Sequence, residues 1–129
     1  MQASNNTHVS ESLSEDFGTN EVSEMTGISA FTIRYYDKCG FFPNLQRDKH
    51  GIRAFSPADI NQLYLVDALR KSGLSIEGIQ YFVKLQRRGE KTTVERETIL
   101  QQQVTGLEYQ LEELKECLKR LRNARGDLG

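Results

Sequence analysis

The chain has 129 residues, enough for one core of ordinary size with an extended appendage and too few for two independent cores. Its 17 Lys and Arg offset 18 Asp and Glu to a net charge of −1, so the chain as a whole exerts no pull on nucleic acid or anionic lipid, and any such attraction has to be local. No apolar run approaches the ~20 residues that span a bilayer, the polar N-terminus lacks a signal-peptide core, and Cys39, Cys117, His8 and His50 stand without partners at metal-ligand spacing. A soluble cytoplasmic protein with no metal and no cofactor is expected.

Residues 1 to 17 are rich in Ser, Asn, Gln and Glu without any period, which predicts a disordered tail. From Thr19 the pattern changes. Thr19 or Asn20 can cap a short helix with Val22 and Met25 facing inward, ended by Thr26-Gly27. Ser29 can cap a second helix over Ala30 to Lys38, with Ile33 and part of Tyr36 inward and Phe31, Arg34, Tyr35 and Lys38 outward; Gly40 stops it. Two short crossed helices joined by a tight turn predict a helix-turn-helix.

Phe41 to Phe55 carries Pro43, Asn44, Asp48 and Gly51, followed by Ile52 and Phe55, which predicts two short strands around a polar, basic loop, that is, a wing. Ser56-Pro57-Ala58-Asp59 starts a helix, with Leu63, Val66 and Leu69 as its apolar stripe, Leu65 flanking, and an end near Ser72-Gly73. Ser75 caps the next, with Glu77 in its first turn and Ile76, Ile79, Phe82 and Val83 on the buried side; it frays at Arg87-Arg88-Gly89.

From Thr92 to Arg122 there is no proline, and Leu100, Val104, Leu107, Leu111, Leu114, Leu118 and Leu121 alternate at spacings of four and three. Val104, Leu111 and Leu118 take the a positions and the other leucines the d positions. Thirty residues of helix extend roughly 45 Å, beyond a domain this small, so the stripe predicts dimerisation. Gly106 lies outside the seam, where it permits bending at a cost of up to ~1 kcal/mol against Ala. The boundaries are then a tail at 1–17, a winged helix-turn-helix at 18–72, a helical linker at 73–91, a coiled-coil helix at 92–122 and a C-terminal tail at 123–129. The fold class is all-α with a small β wing.

Five cations, Arg34, Lys38, Arg47, Lys49 and Arg53, fall between Phe31 and Arg53. That concentration suits phosphate neutralisation. Tyr35 and Tyr36 can donate to phosphate oxygens, and Phe31, an outward aromatic on a reading helix, can meet a thymine methyl. No set of nucleophile, base and orienting group can be drawn, nor a phosphate-binding glycine loop, which argues against an enzyme. The alternatives from other classes are a coiled-coil interaction adaptor and an excisionase-like architectural DNA-binding protein.

Thr26 to Gly40 (Thr-Gly-Ile-Ser-Ala-Phe-Thr-Ile-Arg-Tyr-Tyr-Asp-Lys-Cys-Gly), Gly-Ile-Arg-Ala-Phe-Ser at 51 to 56 and Ser-Gly-Leu-Ser-Ile-Glu at 72 to 77 resemble MerR-type transcription regulators. The resemblance implies a winged helix-turn-helix, a linker and a long helix that pairs antiparallel with a second subunit. The two-fold dimer would read a pseudo-palindromic operator in a promoter spacer and distort it for RNA polymerase. Carried over by position, Thr32, Arg34, Tyr35, Tyr36, Arg47 and Arg53 would contact DNA. Ile52 stands where many members have Tyr. Gly-Glu-Lys-Thr-Thr-Val-Glu-Arg at 89 to 96 resembles short members without an effector domain, some of which sense electrophiles through a cysteine that falls at Ala68 here. Cys39, at the end of the reading helix, is the substitute thiol candidate, and Cys117 lies beside the seam.

Overall fold

The computed structural model describes residues 16–128. In chain order they form α1 (Thr19–Thr26), α2 (Ala30–Lys38), β1 (Gln46–Arg47), β2 (Arg53–Ala54), α3 (Pro57–Lys71), α4 (Ile76–Arg88), a 3-10 turn (Gly89–Thr92) and α5 (Thr93–Leu128). The two strands pair antiparallel, Gln46 opposite Ala54 and Arg47 opposite Arg53.

Local chemistry accounts for most helix ends. Ser29 Oγ accepts from Thr32 N at 3.1 Å and Ser75 Oγ from Gly78 N at 2.9 Å. At α3, Ser56 Oγ accepts from Asp59 N while the Asp59 carboxylate accepts from Ser56 N at 3.0 Å, a reciprocal capping box with Pro57 at the first helical position. Such a cap stabilises a helix by about 1 kcal/mol. The α1–α2 turn needs Gly27, at φ 76°, and Thr26, whose hydroxyl donates to Val22 O at 2.8 Å and accepts from Ile28 N at 3.1 Å.

Helix α2 closes with Gly40 N–H donating to Asp37 O and Phe41 N–H to Tyr36 O, while the Phe41 and Tyr36 rings pack 5.5 Å apart. Paired bonds of this kind with an apolar contact across them turn the chain sharply into the wing. The core follows directly: Ile33 from α2, Phe41, Phe42 and Phe55 from the wing base, Leu63 and Val66 from α3, and Ile79 and Phe82 from α4. Phe42 and Phe55 meet edge to face, with ring centroids 5.6 Å apart.

In the course of the chain, the fold differs from the sequence expectations in five places. The expected tail at 1–17 lies outside the described residues except at its end, where Phe17 belongs to the domain: its N–H and C=O pair with Phe55 at 2.9 and 2.7 Å. That bridge fixes the chain early, so α1 is capped by Gly18 rather than by Thr19 or Asn20, with Gly18 N donating to Glu21 Oε1 at 3.1 Å. Met25 is 50% exposed, and Ile28, just beyond the helix, takes the inward place instead. Helix α5 continues through the expected C-terminal tail to Leu128. Leu100 packs, with Ile99, against the core of its own domain, so the free stripe begins at Val104. The remaining seam residues, Val104, Leu107, Leu111, Leu114, Leu118 and Leu121, are between 44% and 69% exposed.

Candidate nucleic-acid interface

Helix α2 presents Phe31, Arg34, Tyr35 and Lys38 on one exposed face, the i, i+3, i+4, i+7 positions of a single stripe. Phe31 is 77% exposed, which is unusual for so large an apolar side chain. Arg34 and Lys38 enter no ion pair among the described residues. Thr32 is half-buried at the start of the same helix. Ser29 Oγ donates to its hydroxyl oxygen at 2.9 Å, which leaves the Thr32 hydrogen free to donate outward.

The wing is joined to this face by one carboxylate. Asp37 Oδ2, at the end of α2, accepts from Arg53 Nε at 2.6 Å and from Arg47 Nη2 at 3.1 Å. Arg53 is only 22% exposed and its charge is largely spent on this contact, whereas Arg47 remains half open to solvent. At the wing tip Asp48 Oδ1 accepts from His50 N and Ile52 N, at 2.8 and 2.9 Å, and Gly51 adopts φ 77°. This turn holds Lys49 and Ile52 outward on the wing.

Tyr36 is the residue whose placement departs most from expectation. It lies in the core, and its hydroxyl donates to Asp67 Oδ1 of α3 at 3.1 Å; Asp67 Oδ2 takes Lys71 at 2.9 Å. Burial, reinforced by the Asp67 bond, pushes the Tyr36 phenol up to about 12. It therefore stays a neutral donor, facing a partner inside the protein rather than a phosphate. The Tyr35 phenol is also raised, chiefly by interaction with the Cys39 thiol, and it is exposed on the open face.

Cys39 is half-buried against the core, and its carbonyl accepts from Gln80 Nε2 of α4 at 2.9 Å. Cys117 is exposed on α5, and both thiols are free. Ala68 lies on an exposed position of α3. Three residues that periodicity and charge did not single out prove to organise the site: Asp37, Asp67 and Arg70. The Arg70 charge reaches both Tyr35 and Tyr36, extending the positive surface from α2 onto the end of α3. Among the described residues no three His, Cys, Asp or Glu side chains cluster as metal ligands, and no helix is long and apolar enough to cross a membrane.

A short reading helix with an open polar and aromatic face, a basic wing clasped beside it, and a long helix with an uncovered apolar stripe together define a winged helix-turn-helix protein with an extended pairing element. The model of the MerR HTH family regulatory proteins matches residues 17–85, from the Phe17 bridge to the last turn of α4. The chain belongs to that family.

An HTH-type transcriptional regulator of Haemophilus influenzae is 36% identical over 102 residues, covering 79% of this chain and 76% of that protein. The regulator AdhR of Bacillus subtilis is 34% identical over 80 residues, 62% of this chain and 57% of its own length. Among solved structures, HiNmlR, a MerR family regulator lacking the sensor domain and bound to promoter DNA, superposes with a TM-score of 0.76 at 35% identity, covering 84% of this chain and 86% of that one. A MerR family regulator from Bacillus thuringiensis gives 0.81 at 26% identity over 88% of this chain and 99% of the other. The chain is a transcriptional regulator of this family and not an enzyme.

Proposed function

We propose that this protein binds duplex promoter DNA as a homodimer, each protomer laying α2 into a major groove and its wing along the adjacent backbone. The observation that carries the reading is the joint surface of α2 and the wing, where Phe31, Arg34, Tyr35 and Lys38 stand free beside Arg47 and Lys49. Arg34, Lys38, Arg47 and Lys49 take phosphates, Thr32 and Tyr35 donate to phosphate oxygens, and Phe31 meets a base edge. Arg53 and Tyr36 act behind that surface, one holding the wing and the other holding the helix. HiNmlR, of similar architecture, is bound to promoter DNA.

The uncovered seam from Val104 to Leu121 supports dimerisation. Six apolar side chains aligned on one face of an isolated helix are costly in water, and a second copy laid antiparallel covers them with the same residues. The dimer then places two reading helices on a pseudo-palindromic site in a promoter spacer, and bends that DNA so that RNA polymerase meets both promoter elements in register. The action is cytoplasmic, where such promoters are.

The test is a mobility-shift assay with the protein's own upstream region as labelled duplex. A specific complex that weakens steeply as salt rises, and that Arg34→Ala weakens without changing the dimer mass, supports the reading. Absence of any salt-sensitive specific complex overturns it.

A further inference from the structure

The turn that joins α4 to α5 is bonded far more heavily than a surface connection requires. Thr92 is 3% exposed, and its hydroxyl lies 2.7 Å from Leu85 O, in the last turn of α4, and 2.8 Å from Gly89 O, at its C-cap. Arg96, one turn into α5, donates from Nε to Thr92 Oγ1 at 2.9 Å and from Nη2 to Gly89 O at 3.2 Å. It enters no ion pair among the described residues, so its charge rests against the negative end of the α4 dipole.

Gly89 adopts φ 80° and ψ −153°, a region essentially reserved for glycine, so the direction of the turn is also set by the main chain. Further bonds join α5 to the domain. Tyr81 of α4 donates to the Glu95 carboxylate, and Gln103 Nε2 donates to Ser72 Oγ at 2.9 Å.

Two reading domains held at the ends of a rigid dimer helix pair can engage both half-sites only where the half-site separation matches the protein's own. A loose joint would accept several separations, at the cost of a lower effective concentration of the second domain at the second half-site. We propose that Thr92 and Arg96 are positioning residues that set the angle between the reading domain and α5, and thereby select the spacing between half-sites. The inference rests on the dimeric DNA-binding reading above.

The decisive variants are Thr92→Val, which keeps the shape and removes the hydroxyl, Thr92→Ser, which restores it, and Arg96→Met, which keeps the stem and removes the guanidinium. The probes are a duplex selected from a random pool by the wild-type protein, the same duplex with one or two base pairs added to or taken from its centre, and a single half-site. Affinity is measured for each, with dimer mass from sedimentation.

The wild type should favour the selected spacing over its neighbours. Thr92→Val and Arg96→Met should flatten that preference, losing at least roughly tenfold on the selected duplex, while half-site affinity and dimer mass stay at wild-type values and Thr92→Ser recovers the profile. An unchanged spacing profile in both variants overturns the proposal. So does a loss that falls equally on the half-site, because that marks damage to the reading domain itself. A wild type that sediments as a monomer or selects no paired half-sites overturns the dimeric reading and the proposal with it.

Discussion

Arg53 Nε of β2 lies 2.6 Å from Asp37 Oδ2 of α2, and Arg47 reaches the same oxygen from β1 at 3.1 Å, so one carboxylate ties both strands of the wing to the reading helix. A negative charge on a surface proposed to take phosphate is costly unless it does something the site needs. Here it fixes the angle between α2 and the wing, the two elements proposed to meet DNA. Asp37→Asn keeps the shape and removes the charge, leaving both guanidiniums free to seek phosphates. The contact is partly exposed, so the loss of stability should be about 1 kcal/mol. The effect on DNA should be larger in specificity than in affinity: the ratio of operator to random-duplex binding falls while the salt slope becomes steeper. Parallel salt titrations on the two duplexes check this, and an unchanged ratio would show that the wing holds its place without the carboxylate.

Tyr36→Phe separates the structural phenol from the DNA-facing groups. Removing the hydroxyl leaves Asp67 with Lys71 as its remaining partner and should cost about 1 kcal/mol of stability, with operator contacts largely intact. The pH dependence has a definite sign. The folded phenol titrates at about 12 against an ordinary value of 10.0, so the folded state keeps a proton that the unfolded chain gives up first. The stabilisation is complete below pH 10 and is lost as pH rises through 12. Denaturant melts of the wild type and Tyr36→Phe should therefore converge across that window. Curves that stay parallel would show the phenol to be no better protected than in the unfolded chain.

Phe31 and Arg34 are neighbours on one helix face, and the proposed interface gives them different tasks. Phe31→Ala removes a side chain that packs on nothing much in the free protein, so the melting temperature should hardly move. Discrimination at one base pair should fall by about 1–2 kcal/mol, read as a loss of thymine preference in a panel of single-base operator variants. Arg34→Ala should instead weaken all duplexes alike and lower the salt slope by about 1. Equal losses of thymine preference in both variants would place Arg34, not Phe31, at the base edge.

Local chemistry was legible in the sequence and distant pairing was not. Ser29, Ser56-Pro57 and Ser75 mark helix starts because a cap needs only four consecutive positions, and the stripe from Val104 to Leu121 is visible because its period repeats. By contrast, Tyr36 finds Asp67 at 31 positions' remove and Arg53 finds Asp37 at 16, and neither the hydroxyl nor the carboxylate carries a signal of that partner in its own neighbourhood. The same applies to Phe17, which reads as the end of a polar tail until Phe55 supplies a strand edge for it. Met25 illustrates a different limit. An eight-residue helix makes barely two turns, too few to define a face, and the residue after the turn, Ile28, fills the place that periodicity gave to Met25.

Helix α5 makes the dimer prediction quantitative. Its 36 residues extend about 54 Å and bury no side chain fully in the protomer, and the seam positions beyond Gln103 are 44% to 69% exposed. Leu114→Glu changes a d position in the middle of the seam, and in a two-fold pair it is felt twice. With each leucine contributing about 2 kcal/mol on burial, the dimer should weaken by roughly a thousandfold. Tyr109→Glu, at an exposed position outside the a and d set, is the control and should leave the dimer intact. Sedimentation across a concentration series reads both. The reading domain should melt normally in Leu114→Glu, since its core draws on α5 only through Ile99 and Leu100. Operator affinity should fall to that of a half-site. A variant that remains dimeric would remove the seam as the pairing surface.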